Sequence, residues 1–364
     1  MKKIVITGGH LTPALALIDE LESEKGFGIY FFGRKHSTEE SANFSAEYKL
    51  LKDKNVHFIE LTTGRLQRKF TRFTIPSLLK LPIGFIQSFL NLLIIRPNFI
   101  VSFGGYLSTP VVFMGWLLGI DAITCEQATI PGLATKINSL FAKKIFLTWE
   151  SAKKYFSSPT AGKIQIIGNP TRKSIFKKTA KNLKMQKFIS RNGKLIFVTG
   201  GNMGAHFLNQ QIFKLIPRFD EFLILHQVGT TNYQGDLDRS RKIKAQNYLQ
   251  VDYLDADNIG AVLNRADLVI SRSGANTIWD LALLSKVAIL VPLPTSAGGE
   301  QAENARILEK AGSAIIIDQE NDDEKILFEK INYVFKNFSR LRKKAQEFAR
   351  NLPKDATSRI ISNL

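Results

Sequence analysis

Two segments of the chain share one pattern, a short apolar run that ends in Thr-Gly-Gly and leads into apolar residues at helical spacing. The first passes through Thr7-Gly8-Gly9 into residues 13–21, and the second through Thr199-Gly200-Gly201 into residues 207–215. A buried strand that turns through glycines into a helix is the opening unit of a doubly wound parallel sheet. Because this unit occurs twice, the sequence predicts two α/β domains.

Further short apolar runs predict the remaining strands of the two sheets. They are 28–32, 56–61, 99–103, 122–125, 144–147 and 164–167 in the first half, then 222–226, 248–251, 268–271, 288–291 and 314–317. The basic stretch between Pro170 and Gly193 predicts the domain boundary. We therefore place an N-terminal domain at 1–172, a C-terminal domain at 173–335, and a helical tail at 336–364 that packs back toward the N-terminal domain. Ligands bind at the carboxyl ends of parallel strands, so the two domains are expected to face a central cleft.

The charge balance points to anionic partners. The 364 residues include 50 Lys and Arg against 32 Asp and Glu, a net charge of +18. Nucleic acid or an anionic membrane surface fits this excess, and so does a generally basic proteome. The single cysteine, Cys125, excludes an intramolecular disulfide and a multi-cysteine zinc site. No signal peptide and no uninterrupted apolar stretch of 18 residues is found, so the chain is expected not to span a bilayer.

The two glycine turns are candidate sites for phosphate or sugar. At Thr7-Gly8-Gly9-His10, glycines let a ligand approach the backbone, and the histidine suits a general base. The alternative is a helix-start residue without chemistry. The second turn, Thr199 to Ala205, has three glycines but lacks G-x-G-x-x-G and the Walker lysine. An ordinary dinucleotide site or P-loop is therefore disfavoured.

Two later helix starts carry polar side chains after a predicted strand. Ser271-Arg272-Ser273-Gly274 opens a helix that contains Asp280, which suits a phosphate with a ribose beside it. The segment from Gly298 to Ala305 offers amide and carboxylate groups to sugar hydroxyls. Helix capping by solvated side chains is the alternative interpretation of both.

Taken in order, these motifs resemble the MurG family, which transfers N-acetylglucosamine from UDP to a lipid-linked muramoyl-pentapeptide. The matching segments are Thr7-Gly8-Gly9-His10, Gly104-Gly105-Tyr106, Glu126-Gln127, Gly168-Asn169-Pro170-Thr171-Arg172, Gly200-Gly201, Gly204-Ala205, Asn209, His226-Gln227, Arg272-Ser273-Gly274-Ala275, Gln301, Asn304-Ala305 and Pro353-Lys354-Asp355-Ala356-Thr357. They span nearly the whole chain in the family's order.

The resemblance implies a GT-B fold, with two Rossmann-like domains, and an inverting transfer that needs no metal or other cofactor. It implies UDP-N-acetylglucosamine as donor in the C-terminal domain and a polyprenyl-diphosphate-linked acceptor in the N-terminal domain. It also implies a peripheral location on the cytoplasmic face of the cell membrane, in peptidoglycan synthesis.

The same resemblance implies roles for individual residues. His10 and Glu126 take the catalytic positions, and Thr7, Gly8, Gly9 and Tyr106 take acceptor positions. The implied donor-binding residues are Arg172, Gly201, Asn202, Ser273, Gly274, Asp280, Glu300 and Gln301.

This chain departs from the family's usual pattern at several of these places. Its first glycine turn looks shortened, Ala128 replaces an asparagine, Asp280 replaces a glutamate and Glu300 replaces a glutamine. Two alternatives follow. One is another GT-B enzyme of UDP-sugars, with a different acceptor or with epimerase activity. The other is a catalytically weak relative that binds lipid.

Residues 61–120 contain no acid and interleave cations with apolar side chains. Such a segment favours peripheral binding to an anionic leaflet, and the residues expected to contact it are Arg65, Arg68, Lys69, Phe70, Arg72, Phe73, Leu79 and Phe85. The alternative is a buried apolar core with a solvated basic face. Nucleic acid is the weakest candidate partner, because no recognition motif accompanies the charge.

Overall fold

The computed structural model describes residues 1–36, 44–64 and 79–364, and it divides the chain into two compact units. Unit 1 comprises Met1–Arg172 together with Pro353–Leu364, and unit 2 comprises Lys173–Leu352. Residues 336–352, which the sequence pattern assigned to the tail, belong to unit 2. Only the last twelve residues return to unit 1.

Unit 1 is built on a parallel sheet of seven described strands in the order β3-β2-β1-β4-β5-β6-β7. The strands are β1 (Lys2–Thr7), β2 (Phe27–Gly33), β3 (His57–Glu60), β4 (Phe99–Ser102), β5 (Asp121–Glu126), β6 (Lys144–Leu147) and β7 (Ile164–Ile166). The central strands are almost wholly apolar because helices cover both faces of the sheet.

The described helices of unit 1 connect these strands, and the last one closes the unit. They are α1 (Leu11–Glu24), α2 (Ala46–Leu51), α3 (Leu81–Ile95), α4 (Ser108–Leu117), α5 (Leu133–Phe141), α6 (Ser158–Ala161) and, at the end of the chain, α15 (Ala356–Ile361). Ala356, Ile360 and Leu364 pack into the same core as α1. This burial ties the C-terminal residues to unit 1.

Unit 2 repeats the architecture with six described parallel strands in the order β10-β9-β8-β11-β12-β13. They are β8 (Lys194–Thr199), β9 (Phe222–Gln227), β10 (Tyr248–Val251), β11 (Leu268–Ser271), β12 (Val287–Leu290) and β13 (Ala314–Ile316). The helices are α7 (Leu183–Ile189), α8 (His206–Leu215), α9 (Asp236–Lys242), α10 (Ile259–Arg265), α11 (Ala275–Leu283), α12 (Glu300–Lys310), α13 (Glu324–Lys336) and α14 (Phe338–Arg350).

The strand order of each sheet reverses direction at one place. In unit 1 it reverses between β1 and β4, and in unit 2 between β8 and β11. Loops that leave neighbouring strands in opposite directions open a crevice at their carboxyl ends, which is where ligands bind in such sheets. The first and second glycine turns follow β1 and β8, so each lies at the switch point of its own sheet.

Candidate active site

A cavity of about 540 Å³ lies at the switch point of unit 2. Its residues come from the turn after β8, the loop before α9, and the starts of α11 and α12. They are Thr199, Gly200, Gly201, Met203, Gly204, Ala205, His206, Asn209, Thr231, Tyr233, Asp236, Ser271, Arg272, Gly274, Thr277, Leu293 and Gln301. The volume falls within the range of cavities that hold small-molecule ligands.

The second glycine turn is held by backbone packing that only glycine permits. Gly204 has φ +87°, and a Cβ there would lie 2.2 Å from the carbonyl oxygen of Val228. Gly201 donates its N–H to Thr199 Oγ1 at 3.1 Å, and its carbonyl accepts from Gln227 Nε2 at 2.9 Å. The turn ends at α8, whose first N–H groups receive no side-chain cap. Uncapped N–H groups beside a cavity favour an anionic ligand.

The lining of the cavity also includes a guanidinium. Arg272 Nη1 donates to the carbonyls of Val291 and Pro292, at 3.0 and 3.3 Å. Burial lowers the pKa of Arg272 from its ordinary value, and the group stays charged because that ordinary value is so high. A positive charge fixed next to an uncapped helix start suits a phosphate or diphosphate.

Three of the predicted donor-binding residues line this cavity, namely Gly201, Gly274 and Gln301. Gly274 is the N-cap of α11. The Gln301 side chain accepts from the N–H of Leu293 at 3.0 Å, which holds the loop after β12 against the start of α12.

Asn202 and Ser273 do not line the cavity, although they flank residues that do. The Asn202 carbonyl accepts from the Thr230 N–H at 2.9 Å, and the residue is exposed. Ser273 is fully buried, and its hydroxyl donates to the carbonyl of Gln301 at 2.8 Å. Their contacts hold neighbouring loops, and direct donor contact stays a prediction for both.

Asp280, Glu300 and Arg172 also lie outside the cavity lining. Asp280 is half-buried in α11, one turn after the cavity residue Thr277. Glu300 is the first residue of α12, and its Oε1 accepts from Asn304 Nδ2 at 3.4 Å. Arg172 is the half-buried residue at which the first segment of unit 1 ends. Their donor contacts stay predictions.

Among the cavity residues that the sequence motifs did not single out are His206 and Asp236, which contact each other. His206 Nδ1 lies 2.9 Å from Asp236 Oδ1, and Asp236 is buried. Thirty positions separate the two residues, and no motif connects them. Only the histidine directly after the Gly-Ala of the turn could have indicated this pair.

A buried polar chain lies behind Asp236. Asn209 Nδ2 donates to Asp236 Oδ2 at 2.8 Å, and Asn209 Oδ1 lies 3.0 Å from His226 Nε2. His226 Nδ1 lies 3.1 Å from the hydroxyl of Tyr248. Burial lowers the pKa of His226 to about 3, so its ring is neutral and can donate from one nitrogen and accept at the other.

The first glycine turn packs directly against the turn that follows β4, at Gly104 and Gly105. The Gly9 N–H donates to the carbonyl of Gly104 at 2.9 Å, and a Cβ on Gly105 would lie 2.6 Å from Gly9 N. Gly8 has φ +151° and lies against the backbone of Phe103. The two turns, which follow β1 and β4, therefore form one surface of closely packed backbone.

His10 lies on this surface, immediately before α1. Its Nδ1 is 3.2 Å from the carbonyl oxygen of Phe103, and the ring is half-buried. A carbonyl only accepts, so Nδ1 carries the hydrogen and Nε2 holds a lone pair when the ring is neutral. This tautomer is the one that a general base requires at Nε2.

The other predicted residues of unit 1 have structural contacts. The two carboxylate oxygens of buried Glu126 accept from the N–H groups of Ala128 and Gly132, both at 3.1 Å. Thr7 is fully buried, and its hydroxyl donates to the carbonyl of Phe32 at 3.2 Å. Tyr106 is half-buried in the core beside α4. Direct contact of these side chains with a substrate stays a prediction.

Two of the eight predicted membrane residues fall within the described part of the chain. Leu79 is 71% exposed, whereas Phe85 is half-buried and packs edge-on against Phe113 at 5.6 Å. The other six, from Arg65 to Phe73, lie outside the described residues.

Exposed apolar side chains on α3 and α4, together with Leu79 just before α3, form a set that we call the exposed apolar face. Its members are Leu79, Ile83, Ile86, Leu90, Leu93, Ile94, Trp116 and Leu117. The rings of Phe85 on α3 and Trp116 on α4 both contact Phe113, at 5.6 and 5.8 Å between centroids, which brings the two helices' apolar side chains next to one another. No helix in the described ranges is long and apolar enough to cross a membrane. Contiguous apolar surface of this kind marks an interaction site.

No group of three or more His, Cys, Asp or Glu side chains comes together as a possible metal site in the described ranges. Two doubly wound parallel sheets, one with an anion-suited cavity and the other with a histidine on a glycine-rich surface, define a nucleotide-sugar enzyme with the GT-B fold.

Comparison with known proteins agrees with this class. The glycosyltransferase family 28 C-terminal domain matches residues 195–360, and the family 28 N-terminal domain matches residues 7–147. The chain belongs to the MurG family of these glycosyltransferases, as the resemblance of its motifs implied.

The similarity to named relatives covers most of the chain. The UDP-N-acetylglucosamine--N-acetylmuramyl-(pentapeptide) pyrophosphoryl-undecaprenol N-acetylglucosamine transferase of Treponema denticola is 33% identical over 85% of this chain and 81% of its own length. The enzyme of the same name from Borreliella burgdorferi is 31% identical over 97% and 93%.

Solved structures share the fold at low sequence identity. The crystal structure of MurG from Acinetobacter baumannii matches with a TM-score of 0.74 at 20% identity, over 100% of this chain and 99% of that one. The UDP-GlcNAc 2-epimerase from Neisseria meningitidis, solved with UDP-GlcNAc bound, matches with a TM-score of 0.69 at 13% identity over the same shares. The predicted GT-B fold is confirmed.

Proposed function

We propose that this chain transfers N-acetylglucosamine from UDP-N-acetylglucosamine to the C4 hydroxyl of a polyprenyl-diphosphate-linked muramoyl-pentapeptide, with inversion at C1. The observation that carries the proposal is the 31% identity, over 97% of the chain, to a relative named for this transfer. The cavity of unit 2 and the position of His10 in unit 1 support it independently.

The donor diphosphate is assigned to the cavity of unit 2. N–H groups of the second glycine turn, the start of α8 and the Arg272 guanidinium would meet its negative charge. These groups are fixed by the fold before the reaction, so they stabilise the charge that UDP gains on leaving without reorganisation. Gln301 and Gly274, which also line the cavity, suit the sugar and ribose hydroxyls.

The acceptor hydroxyl is assigned to the glycine surface of unit 1. The hydroxyl oxygen attacks C1 of the donor sugar while the bond from C1 to the UDP oxygen breaks. The hydroxyl proton passes to Nε2 of His10, the nitrogen left free by the hydrogen bond between Nδ1 and Phe103. Removal of this proton by a positioned base is worth about 10²- to 10⁴-fold in rate.

A peripheral membrane location is part of the proposal, with the exposed apolar face as the contact surface. The acceptor named for the relatives carries a polyprenyl chain, and a peripheral enzyme reaches such a substrate at the bilayer surface. The net charge of +18 favours an anionic leaflet, on the cytoplasmic side where UDP-sugars are found.

The reaction is proposed to proceed without a metal, because N–H groups and Arg272 are positioned to meet the diphosphate charge. Transfer in the presence of a chelator tests this part separately. Full activity with excess chelator is expected, and its loss would contradict metal independence while leaving the transfer itself intact.

The test of the reaction is transfer of labelled N-acetylglucosamine to a synthetic short-chain acceptor in detergent. Formation of labelled lipid-linked disaccharide supports the proposal. Conversion of the donor in the absence of acceptor would identify an epimerase. Binding to liposomes without any transfer would identify a catalytically weak lipid-binding relative.

A further inference from the structure

One wall of the unit 2 cavity carries an imidazole whose partner is a buried carboxylate. His206 Nδ1 lies 2.9 Å from Asp236 Oδ1, and Asp236 also receives Asn209 Nδ2 and Gln210 Nε2, each at 2.8 Å. Both amides present N–H groups, so the carboxylate oxygens act as acceptors. The hydrogen between His206 and Asp236 therefore belongs to Nδ1 of the histidine.

The orientation of this pair is fixed from behind by the buried polar chain. Asn209 is held by His226 at 3.0 Å and by the carbonyl of Val228 at 3.1 Å. These contacts fix the carboxylate, and the carboxylate fixes the ring. Nε2 of His206 has no hydrogen-bond partner among the described residues, and the ring lines the cavity.

The charged groups around the imidazole favour an anionic ligand at Nε2. Asp236 faces it from α9, and the ring of Tyr233 packs edge-on against it at 5.3 Å. Arg239, also on α9, reaches Gln210 Oε1 at 2.6 Å, and Arg272 lines the same cavity. The carboxylate of Asp236 accepts three hydrogen bonds, whereas the guanidinium groups of Arg239 and Arg272 add positive charge near the imidazole.

We propose that His206, protonated and held by Asp236, binds the diphosphate of the donor, so that donor binding is coupled to proton uptake by the imidazole. The inference rests on the proposed function, because it takes UDP-N-acetylglucosamine as the ligand. With Nδ1–H directed at Asp236, a neutral ring presents a lone pair at Nε2 and repels a phosphate oxygen. Protonation turns Nε2 into a charged donor and reverses that interaction.

The first test is the dissociation constant of UDP-N-acetylglucosamine, measured by calorimetry from about pH 8 to about pH 6. The donor diphosphate is esterified at both ends, so it does not titrate in this range and cannot itself produce a pH dependence. Binding by the unmodified protein should tighten by about tenfold toward the lower pH. His206→Gln should lose this dependence.

The matched control is His57→Gln, which removes an exposed histidine from unit 1. This variant should keep the pH dependence of the unmodified protein. His206 is partly exposed at the first position of α8, and the melting temperature of His206→Gln will show whether the fold is kept.

A second measurement uses the unmodified protein alone. The chain has five histidines, and the ring resonance missing from the His206→Gln NMR spectrum identifies His206. The pH at which this resonance titrates should move upward when donor is added, since binding and protonation are reciprocal. A purely structural histidine would show no such movement.

The results separate this inference from the function on which it rests. The inference is wrong, and the donor site stands, if the unmodified protein and His206→Gln bind the donor with the same pH dependence. The same conclusion follows if the His206 resonance does not move when donor is added. If UDP-N-acetylglucosamine binds neither protein at any pH, the inference and the donor assignment both fail.

Discussion

At the scale of single residues, three histidines differ in what their ring nitrogens contact. His10 directs Nδ1 at a backbone carbonyl, His206 at a carboxylate, and His226 has partners at both nitrogens inside the core. The hydrogen bond to the carbonyl leaves the Nε2 lone pair of His10 for its proposed role as base, whereas the hydrogen bond to the carboxylate fixes the ring of His206 with Nδ1–H directed at Asp236. Burial keeps His226 neutral and confines it to a structural role.

The role proposed for His10 as general base predicts a selective loss of turnover. His10→Gln removes the base but keeps a polar side chain before α1, so kcat should fall by about 10²-fold or more. The dissociation constant for UDP-N-acetylglucosamine should stay within about twofold, because the donor cavity belongs to unit 2. Steady-state kinetics and calorimetry measure both quantities. Unchanged turnover would show that another group accepts the proton.

The buried His226 predicts that acid destabilises unit 2. Its pKa is about 3 in the folded protein, whereas a histidine exposed to water in the unfolded chain has its ordinary pKa of 6.5. Between these values the unfolded chain binds the extra proton, so the free energy of unfolding falls as the pH falls below about 6.5. This one group contributes a slope of about 1.4 kcal/mol per pH unit within that window.

Urea unfolding at about pH 7 and about pH 5 measures the effect. His226→Gln can keep both hydrogen bonds but cannot titrate, so it should lose less stability between the two pH values than the unmodified protein. His57→Gln should behave like the unmodified protein. Equal losses in all three proteins would contradict the assignment of the slope to His226.

Sequence reasoning located the segments of the site better than its side chains. Gly201, Gly274 and Gln301 line the cavity, but the neighbouring Asn202 and Ser273 hold loops instead. In a strand-to-helix turn, a difference of one position along the chain decides whether a side chain lines the ligand crevice or packs against neighbouring loops. That difference depends on φ and ψ at glycines, which a motif does not record.

At the scale of elements, the two glycine turns of unit 1 depend on each other's shape. Gly105 has φ +76°, and its Cβ would lie 2.6 Å from Gly9 N. Gly105→Ala should therefore separate the two turns and move His10, which follows Gly9 directly. We expect about a tenfold or greater loss of kcat, since an error of about 1 Å at a catalytic group has large effects.

Gly119→Ala is the matched control for this prediction. Gly119 has φ +71°, but a Cβ there would meet nothing within 4 Å. Both variants incur the left-handed strain of about 1 kcal/mol, whereas only Gly105→Ala adds the clash. Melting temperatures should fall in both variants, and at least as far in Gly105→Ala as in Gly119→Ala. Transfer assays should show a loss of activity in Gly105→Ala alone. Equal activities would contradict the coupling of the two turns.

The strands of both sheets could be predicted because parallel strands covered on two faces are continuous apolar runs. All thirteen described strands overlap the predicted segments, and the central strands of each sheet are the most continuously apolar. The domain to which the end of the chain belongs was harder to predict. Helix α14 carries the amphipathic pattern that a separate tail would also have, and only its packing in unit 2 assigns it there.

At the scale of the whole molecule, charge and apolar surface act together. In the proposed peripheral location, the net charge of +18 would attract the chain to anionic lipid over about 10 Å at moderate salt, and added salt would weaken this attraction. Apolar side chains that enter the interface add a contribution that salt does not screen. The exposed apolar face supplies such side chains on α3 and α4.

Membrane binding can therefore be separated into its two parts with variants of equal charge. Ile86, 58% exposed on α3, belongs to the exposed apolar face, whereas Leu183 is 83% exposed in unit 2. Ile86→Glu and Leu183→Glu lower the net charge equally, but only the first removes an inserting side chain. Ile86→Glu should reduce binding to vesicles of anionic and neutral lipid by about tenfold, and Leu183→Glu by much less.

Sedimentation with vesicles at low and high salt measures this difference, and transfer to a short-chain acceptor in detergent should be unaffected in both variants. High salt should weaken binding of the unmodified protein without abolishing it, because the apolar contribution persists. If the two variants lose binding equally, net charge alone explains the attraction. The exposed apolar face would then need a different partner, since side chains such as Ile94, 79% exposed, would still be uncovered.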